Sequence, residues 1–184
     1  YVMKPQILII VGSLRKDSFN KVLANKVVEL FNLKADFELL DYKDITYMNQ
    51  DLETDVPTSL KDIRDKVLKA DGLFIFTPEY NHMIPGVLKN LLDWLSRPVI
   101  PNDRTSAVIR SKKVAIAGVA GNSGAKYALE DLRKLLKQIN AEVLDIETSC
   151  VIPASTWATG IYELSQDNIN DLINQTNAFL NFIK

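Results

Sequence analysis

The chain has 184 residues, 47% of them hydrophobic and 24% charged, with 22 Lys and Arg against 23 Asp and Glu. That length can bury a full hydrophobic core and is most simply one domain over residues 1–184. A formal net charge of -1 argues against a general nucleic-acid binder, and no apolar stretch is long enough for a membrane span.

The first residues lack the basic start and clear apolar stretch of a signal peptide, so the cytoplasm is the expected location. Gln6-Ile7-Leu8-Ile9-Ile10-Val11 reads as a first strand. Val22, Leu23, Val27, Leu30 and Phe31 then recur with helical spacing to about residue 32, forming a stripe that can cover one sheet face. Phe37 to Leu40 is a short second strand. A polar, irregular stretch from Asp41 to Val56 follows, and Pro57 opens a second helix to about Lys69. Gly72 to Thr77 is a nearly continuous apolar run stopped by Pro78, the pattern of a parallel strand buried on both faces.

A third helix is expected from Pro85 to about Ser96, with Asp93 and Arg97 spaced to pair on its surface. Lys112 to Gly118 supplies a fourth strand. After Gly121-Asn122-Ser123-Gly124, Ala125, Ala128, Leu129, Leu132, Leu135, Leu136 and Ile139 keep a 3.6-residue period. A fifth strand is expected within Ala141 to Ile146, and a last helix carries Ile169, Leu172, Ile173, Phe179, Leu180 and Ile183. Cys150 is the sole cysteine, which removes intrachain disulfides, and it reads as a small hydrophobe near a strand end. Five strands alternating with five helices predict right-handed crossovers and an α/β doubly wound sandwich: one five-stranded parallel sheet, order 2-1-3-4-5.

Three loops follow the carboxyl ends of the first, third and fourth strands, where open α/β sheets bind ligands. The first, Gly12 to Asn20, lacks the Gly-x-Gly-x-x-Gly spacing for a dinucleotide and the Gly-Lys-Ser/Thr ending for ATP. It offers Ser13, Arg15, Ser18 and Asn20 beside a helix start, donors suited to a terminal phosphate such as that of FMN rather than a bridging pyrophosphate. The plainer reading makes Ser18 a helix cap and Arg15 a solvated charge.

The second loop, Thr77 to Gly86, is restricted by Pro78 and Pro85 and carries Glu79, Tyr80, Asn81 and the only histidine, His82. Glu79 is a flavin contact, a solvated carboxylate or a local turn partner. One histidine excludes a multi-histidine metal site, and no Asp, Glu and His set has metal-ligand spacing. The third loop, Ala117 to Gly124, is small enough for close approach to a planar ligand. An ordinary glycine-rich connection would read the same way.

Gly12-Ser13-Leu14-Arg15 with Ser18 and Asn20, Pro78-Glu79-Tyr80-Asn81, and Pro85 to Arg97 together resemble the NAD(P)H-dependent FMN reductase family of flavodoxin-like quinone, azo-dye and chromate reductases. The resemblance implies that Ser13, Arg15, Ser18 and Asn20 hold the FMN phosphate, and that Pro78, Glu79, Tyr80 and Asn81 border the ribityl chain and ring. Gly121, Asn122, Ser123 and Gly124 match the third flavin loop, with Asn122 in place of a glycine often found there. It further implies hydride transfer from NADPH or NADH to FMN, followed by reduction of a quinone, azo compound or other small-molecule acceptor. No side chain is singled out as catalytic, and no metal is expected. Family members form homodimers or homotetramers, for which Ile84 and Trp94 are candidate surface residues. A flavodoxin-type electron carrier and a reductase that supplies reduced FMN to a partner share the same features.

Overall fold

Strand β1 (Gln6–Val11) is buried from Ile7 onward and β3 (Gly72–Thr77) throughout, because each is covered on both faces. These two form the centre of a parallel sheet with β2 (Asp36–Leu39) outside β1 and β4 (Lys113–Ala120) beyond β3. The register aligns Leu8 with Leu73 and Val114, and Ile10 with Ile75 and Ile116. Since side chains alternate across a strand, this set points to one face and Ile7, Ile9, Phe74, Phe76, Ala115 and Ala117 to the other.

The first face packs under α2 (Thr58–Lys69), α3 (Gly86–Leu95) and α4 (Lys126–Gln138), through Ile63, Val67, Leu88, Leu91, Leu92, Leu129 and Leu132. The second packs under α1 (Phe19–Phe31) and α6 (Gln166–Phe182), through Leu23, Val27, Phe31, Leu172 and Phe179. The outcome is the expected flavodoxin-like three-layer sandwich, with strand order 2-1-3-4-5. The computed structural model describes residues 3–184. Among them no helix is long and apolar enough to cross a membrane.

The fifth strand begins where expected, within Ala141 to Ile146, but does not end there. It divides into β5 (Glu142–Val143) and β6 (Thr148–Val151), both parallel to β4. Lys113 pairs with Glu142 and Ala117 with Thr148, so four steps along β4 face six along the edge and two extra residues loop out. Val114 O accepts from Leu144 N at 2.8 Å, and the register resumes where Ala117 meets Thr148. The side-chain amide of Gln175, fully buried on α6, spans the break: Nε2 donates to Ile116 O at 2.7 Å and to Ile146 O at 3.1 Å, and Oε1 accepts from Thr148 Oγ1 at 2.7 Å. Arg133 holds the looped residues from α4, donating to Leu144 O and to the Glu147 carboxylate. A short helix, α5 (Ala154–Thr159), was also unforeseen, its six residues carrying no readable period.

Asp41 to Val56 is irregular apart from one 3-10 turn at Gln50–Leu52, yet firmly tied. Asn90 Oδ1 accepts from Met48 N at 2.7 Å, and Trp94 Nε1 donates to Thr46 O at 2.9 Å. Trp94 is wholly buried against Val56 and Leu60 in its own chain, which removes it from any subunit surface. Arg97 does not meet Asp93; it pairs with Glu53 of this stretch, Nε to Oε1 at 2.6 Å, while Asp93 pairs with Lys89 one turn back.

Candidate functional site

All three loops identified from the sequence emerge at the carboxyl edge of the sheet, after β1, β3 and β4. Their closeness is enforced by glycines. A Cβ on Gly12 would lie 3.1 Å from Leu88 and 3.2 Å from Thr77 Oγ1, and one on Gly118 would lie 2.5 Å from Thr77 O. Only a bare backbone lets these turns leave the sheet so near one another.

In the first loop, Ser18 precedes α1 in extended conformation and is buried, but its hydroxyl does not cap the helix. The first turn also carries no acidic residue. The positive helix end and its free N–H groups are therefore uncompensated from within. Ser13 Oγ accepts from Arg15 N at 3.2 Å, and the exposed Arg15 guanidinium lies over the Phe19 ring at 4.6 Å and donates to Asp17 O. Asn20 is buried, and its amide bridges to β4: Nδ2 donates to Val119 O and Oδ1 accepts from Val119 N, both at 3.0 Å. Tyr42, which sequence reasoning passed over, donates its hydroxyl to Val11 O at 2.6 Å beneath the loop.

The second loop contains a two-residue turn. Tyr80 and Met83 pair across it, and Asn81 and His82 carry φ of 54 and 62, both in the left-handed region. Asn tolerates that region, whereas His holds it at some cost. The His82 ring lies against Tyr127 of α4, with centroids 4.4 Å apart. Pro78 and Glu79 are half-buried; Tyr80, Asn81, His82 and Met83 are exposed.

Glu79 has found partners in the third loop rather than in its own. Its Oε1 accepts from Ser123 Oγ at 2.6 Å and its Oε2 from Ala128 N, in the first turn of α4, at 3.0 Å. Ser149 of β6 donates to Gly124 O at 2.7 Å from the other side. Between these ties, Asn122 is exposed and a Cβ on Gly121 would meet nothing within 4 Å. Two hollows lie elsewhere, one of about 680 Å³ beside β6 and α5 and one of about 1170 Å³ at the opposite sheet edge. Neither gathers the three loops.

The donor set fits a singly phosphorylated planar cofactor. Uncompensated N–H groups with Arg15 suit a terminal phosphate, and the open space at Gly121 together with the exposed Tyr80–Met83 turn suits a flat ring. Residues 5–155 match the family described as NADPH-dependent FMN reductase. This chain belongs to the NADPH-dependent FMN reductase family.

Relatives within or near the family agree. The chain is 32% identical over 172 residues to an NAD(P)H-dependent FMN reductase of Pseudomonas aeruginosa, covering 92% of this chain and 90% of that one. It is 45% identical over 96 residues to a 2-hydroxy-1,4-benzoquinone reductase of a Burkholderia species, a match spanning about half of each, 52% in both cases. Among solved structures, the flavoenzyme FerB of Paracoccus denitrificans, an NAD(P)H:(acceptor) oxidoreductase, superposes with a TM-score of 0.84 at 29% identity, covering 97% of both chains.

Proposed function

We propose that this FMN reductase family member is an NAD(P)H-dependent FMN oxidoreductase that reduces quinones, azo compounds or related planar acceptors. The observation carrying it is the meeting of three loops at one sheet edge. One offers uncompensated phosphate donors, one an exposed turn, and one an open glycine, and Asn20 and Glu79 bond them together. The names of the quinone and FMN reductases it resembles support the acceptor class.

Bound FMN supplies the redox chemistry, taking up a hydride from a nicotinamide and delivering electrons to the acceptor. The protein's share is binding and orientation. Ser13, Arg15 and Ser18, with the first amides of α1, hold the phosphate. Asn20 sets the height of that helix against β4 through Val119. Pro78, Tyr80 and Asn81 border the ribityl chain and ring, Glu79 reaches across to Ser123 and Ala128, and Gly121, Asn122, Ser123 and Gly124 form the wall opposite. Backbone N–H groups of the second and third loops stabilise negative charge that grows on the reduced ring. The exposed rim, including Tyr80 and Met83, leaves one open side for nicotinamide and acceptor in turn, and a homodimer or homotetramer covers part of it.

The test is a titration with FMN followed by anaerobic mixing with NADPH or NADH. Uptake at one FMN per chain and rapid bleaching by either nicotinamide are expected, then turnover with quinone, azo or chromate acceptors. Bound flavin inert to both nicotinamides would make the protein an electron carrier instead.

A further inference from the structure

Helix α4 begins without a cap of its own. Ala125 stands at the N-cap position with φ 65 and has no side-chain acceptor to offer. The first turn also lacks an acidic residue. Both needs are met from a distant loop: the Glu79 carboxylate accepts the Ala128 N–H and brings its negative charge to the positive helix end. Its second oxygen takes the Ser123 hydroxyl, so both oxygens are committed to the far wall of the site.

We propose that Glu79 is a positioning residue. It governs FMN binding through the third loop, holding Gly121 and Asn122 opposite Tyr80 and Asn81, and it does so without touching the flavin. This assignment rests on the FMN reading above. A charge-assisted pair of bonds can set the width of a slot more sharply than the flexible Gly121–Gly124 backbone could alone. Pointing the carboxylate into the helix N-terminus also keeps its charge away from a ring that becomes electron-rich on reduction.

The experiment compares wild type with Glu79→Gln, Glu79→Ala, Ser123→Ala and the Glu79→Ala/Ser123→Ala double variant. FMN affinity is read by fluorescence quenching, the visible circular dichroism of bound flavin is recorded, and far-ultraviolet spectra report folding. Glutamine can still accept from Ala128 N and, through its amide, donate to Ser123 Oγ. Glu79→Gln therefore stays within about threefold of wild type and keeps its flavin spectrum, whereas Glu79→Ala loses roughly ten- to a hundredfold and shifts it. Ser123→Ala loses about three- to tenfold, and the double variant is no weaker than Glu79→Ala within about twofold, because both act through one contact.

Glu79→Gln as weak as Glu79→Ala, or fully additive losses in the double variant, would overturn the inference. Should Glu79→Ala not fold, Glu79→Gln and Ser123→Ala decide: a Gln variant weaker than Ser123→Ala refutes the positioning role. Wild type that takes up no FMN removes the cofactor reading and this inference together. Wild type that binds FMN while a folded Glu79→Ala binds it equally removes this inference alone.

Discussion

Gln175→Leu tests how the broken fifth strand is held. Leucine nearly preserves the volume but removes the amide, leaving the Thr148 hydroxyl without a partner in a buried setting and taking one side-chain hydrogen bond each from Ile116 O and Ile146 O, the latter nearer to solvent. A buried polar group stripped of its partner costs about 1–3 kcal/mol and a lost hydrogen bond about 0.5–1.5 kcal/mol, so the Thr148 hydroxyl and Ile116 O together set a loss of about 1.5–4.5 kcal/mol. In a domain whose whole stability is about 5–15 kcal/mol, that is a large share. At about 2–4 °C per kcal/mol for a chain of this size, Tm should fall by roughly 3–18 °C.

Urea unfolding of wild type and variant, read by tryptophan fluorescence without added flavin, gives the difference directly. Gln166→Ala is the control: its amide meets Asn170 on the exposed face of the same helix, and its loss should stay within about 0.5 kcal/mol. A Gln175→Leu loss below about 1 kcal/mol, with cooperativity intact, would refute the view that this side chain secures the break between the two edge strands. Because β6 carries the Ser149 bond to Gly124, the same variant should also weaken FMN binding.

Arg15→Ala should lower FMN affinity about tenfold, the loss of one charge-assisted contact, with Tm unchanged within about 2 °C; equal affinity would remove Arg15 from the phosphate site. Two glycines of the third loop should separate packing from binding. Gly118→Ala drives a Cβ into Thr77 O and should destabilise by about 1–3 kcal/mol, whereas Gly121→Ala enters open space, leaves Tm alone and lowers FMN affinity. Alkaline stability should decline. Burial pushes the Cys150 thiol up from 9.0 to about 11 and raises the Tyr42 and Tyr162 hydroxyls as well. Each keeps its proton longer when folded, so this stability is whole below the unfolded values and is lost as pH rises beyond about 9 toward 11 and above. A Tm that does not drop between pH 8 and pH 10.5 would contradict it, and the native thiol should react slowly with alkylating reagents at neutral pH.

The central sheet was legible because its signals are local. Ile7 to Val11, Leu73 to Phe76 and Val114 to Ala117 are apolar runs of strand length, and the helices between them repeat their leucines every three or four residues. Residue type and position at strand ends also marked the three loops. The fifth strand stands within the expected Ala141 to Ile146, but β6, Thr148 to Val151, was not legible because it alternates weakly in residue type and follows a charged stretch that belongs to neither strand. Ser18 looked like a cap by residue type and position, yet its side chain makes no cap bond. Trp94 was open to an interface role until its indole proved to be enclosed by Thr46, Val56 and Leu60.

The sequence by itself therefore determined the alternation of strands and helices, the buried faces and the loops where chemistry gathers, since each is written in a repeat of a few residues. The tertiary structure alone decided which polar side chain answers which: Asn20 to Val119, Glu79 to Ser123 and Ala128, Arg97 to Glu53, and Gln175 to Ile116. Those partners stand dozens of residues apart, and a buried amide or carboxylate bonds to whatever backbone the packed layers place within about 3 Å of it. No periodicity encodes that distance; it exists only once the helices have docked on the sheet.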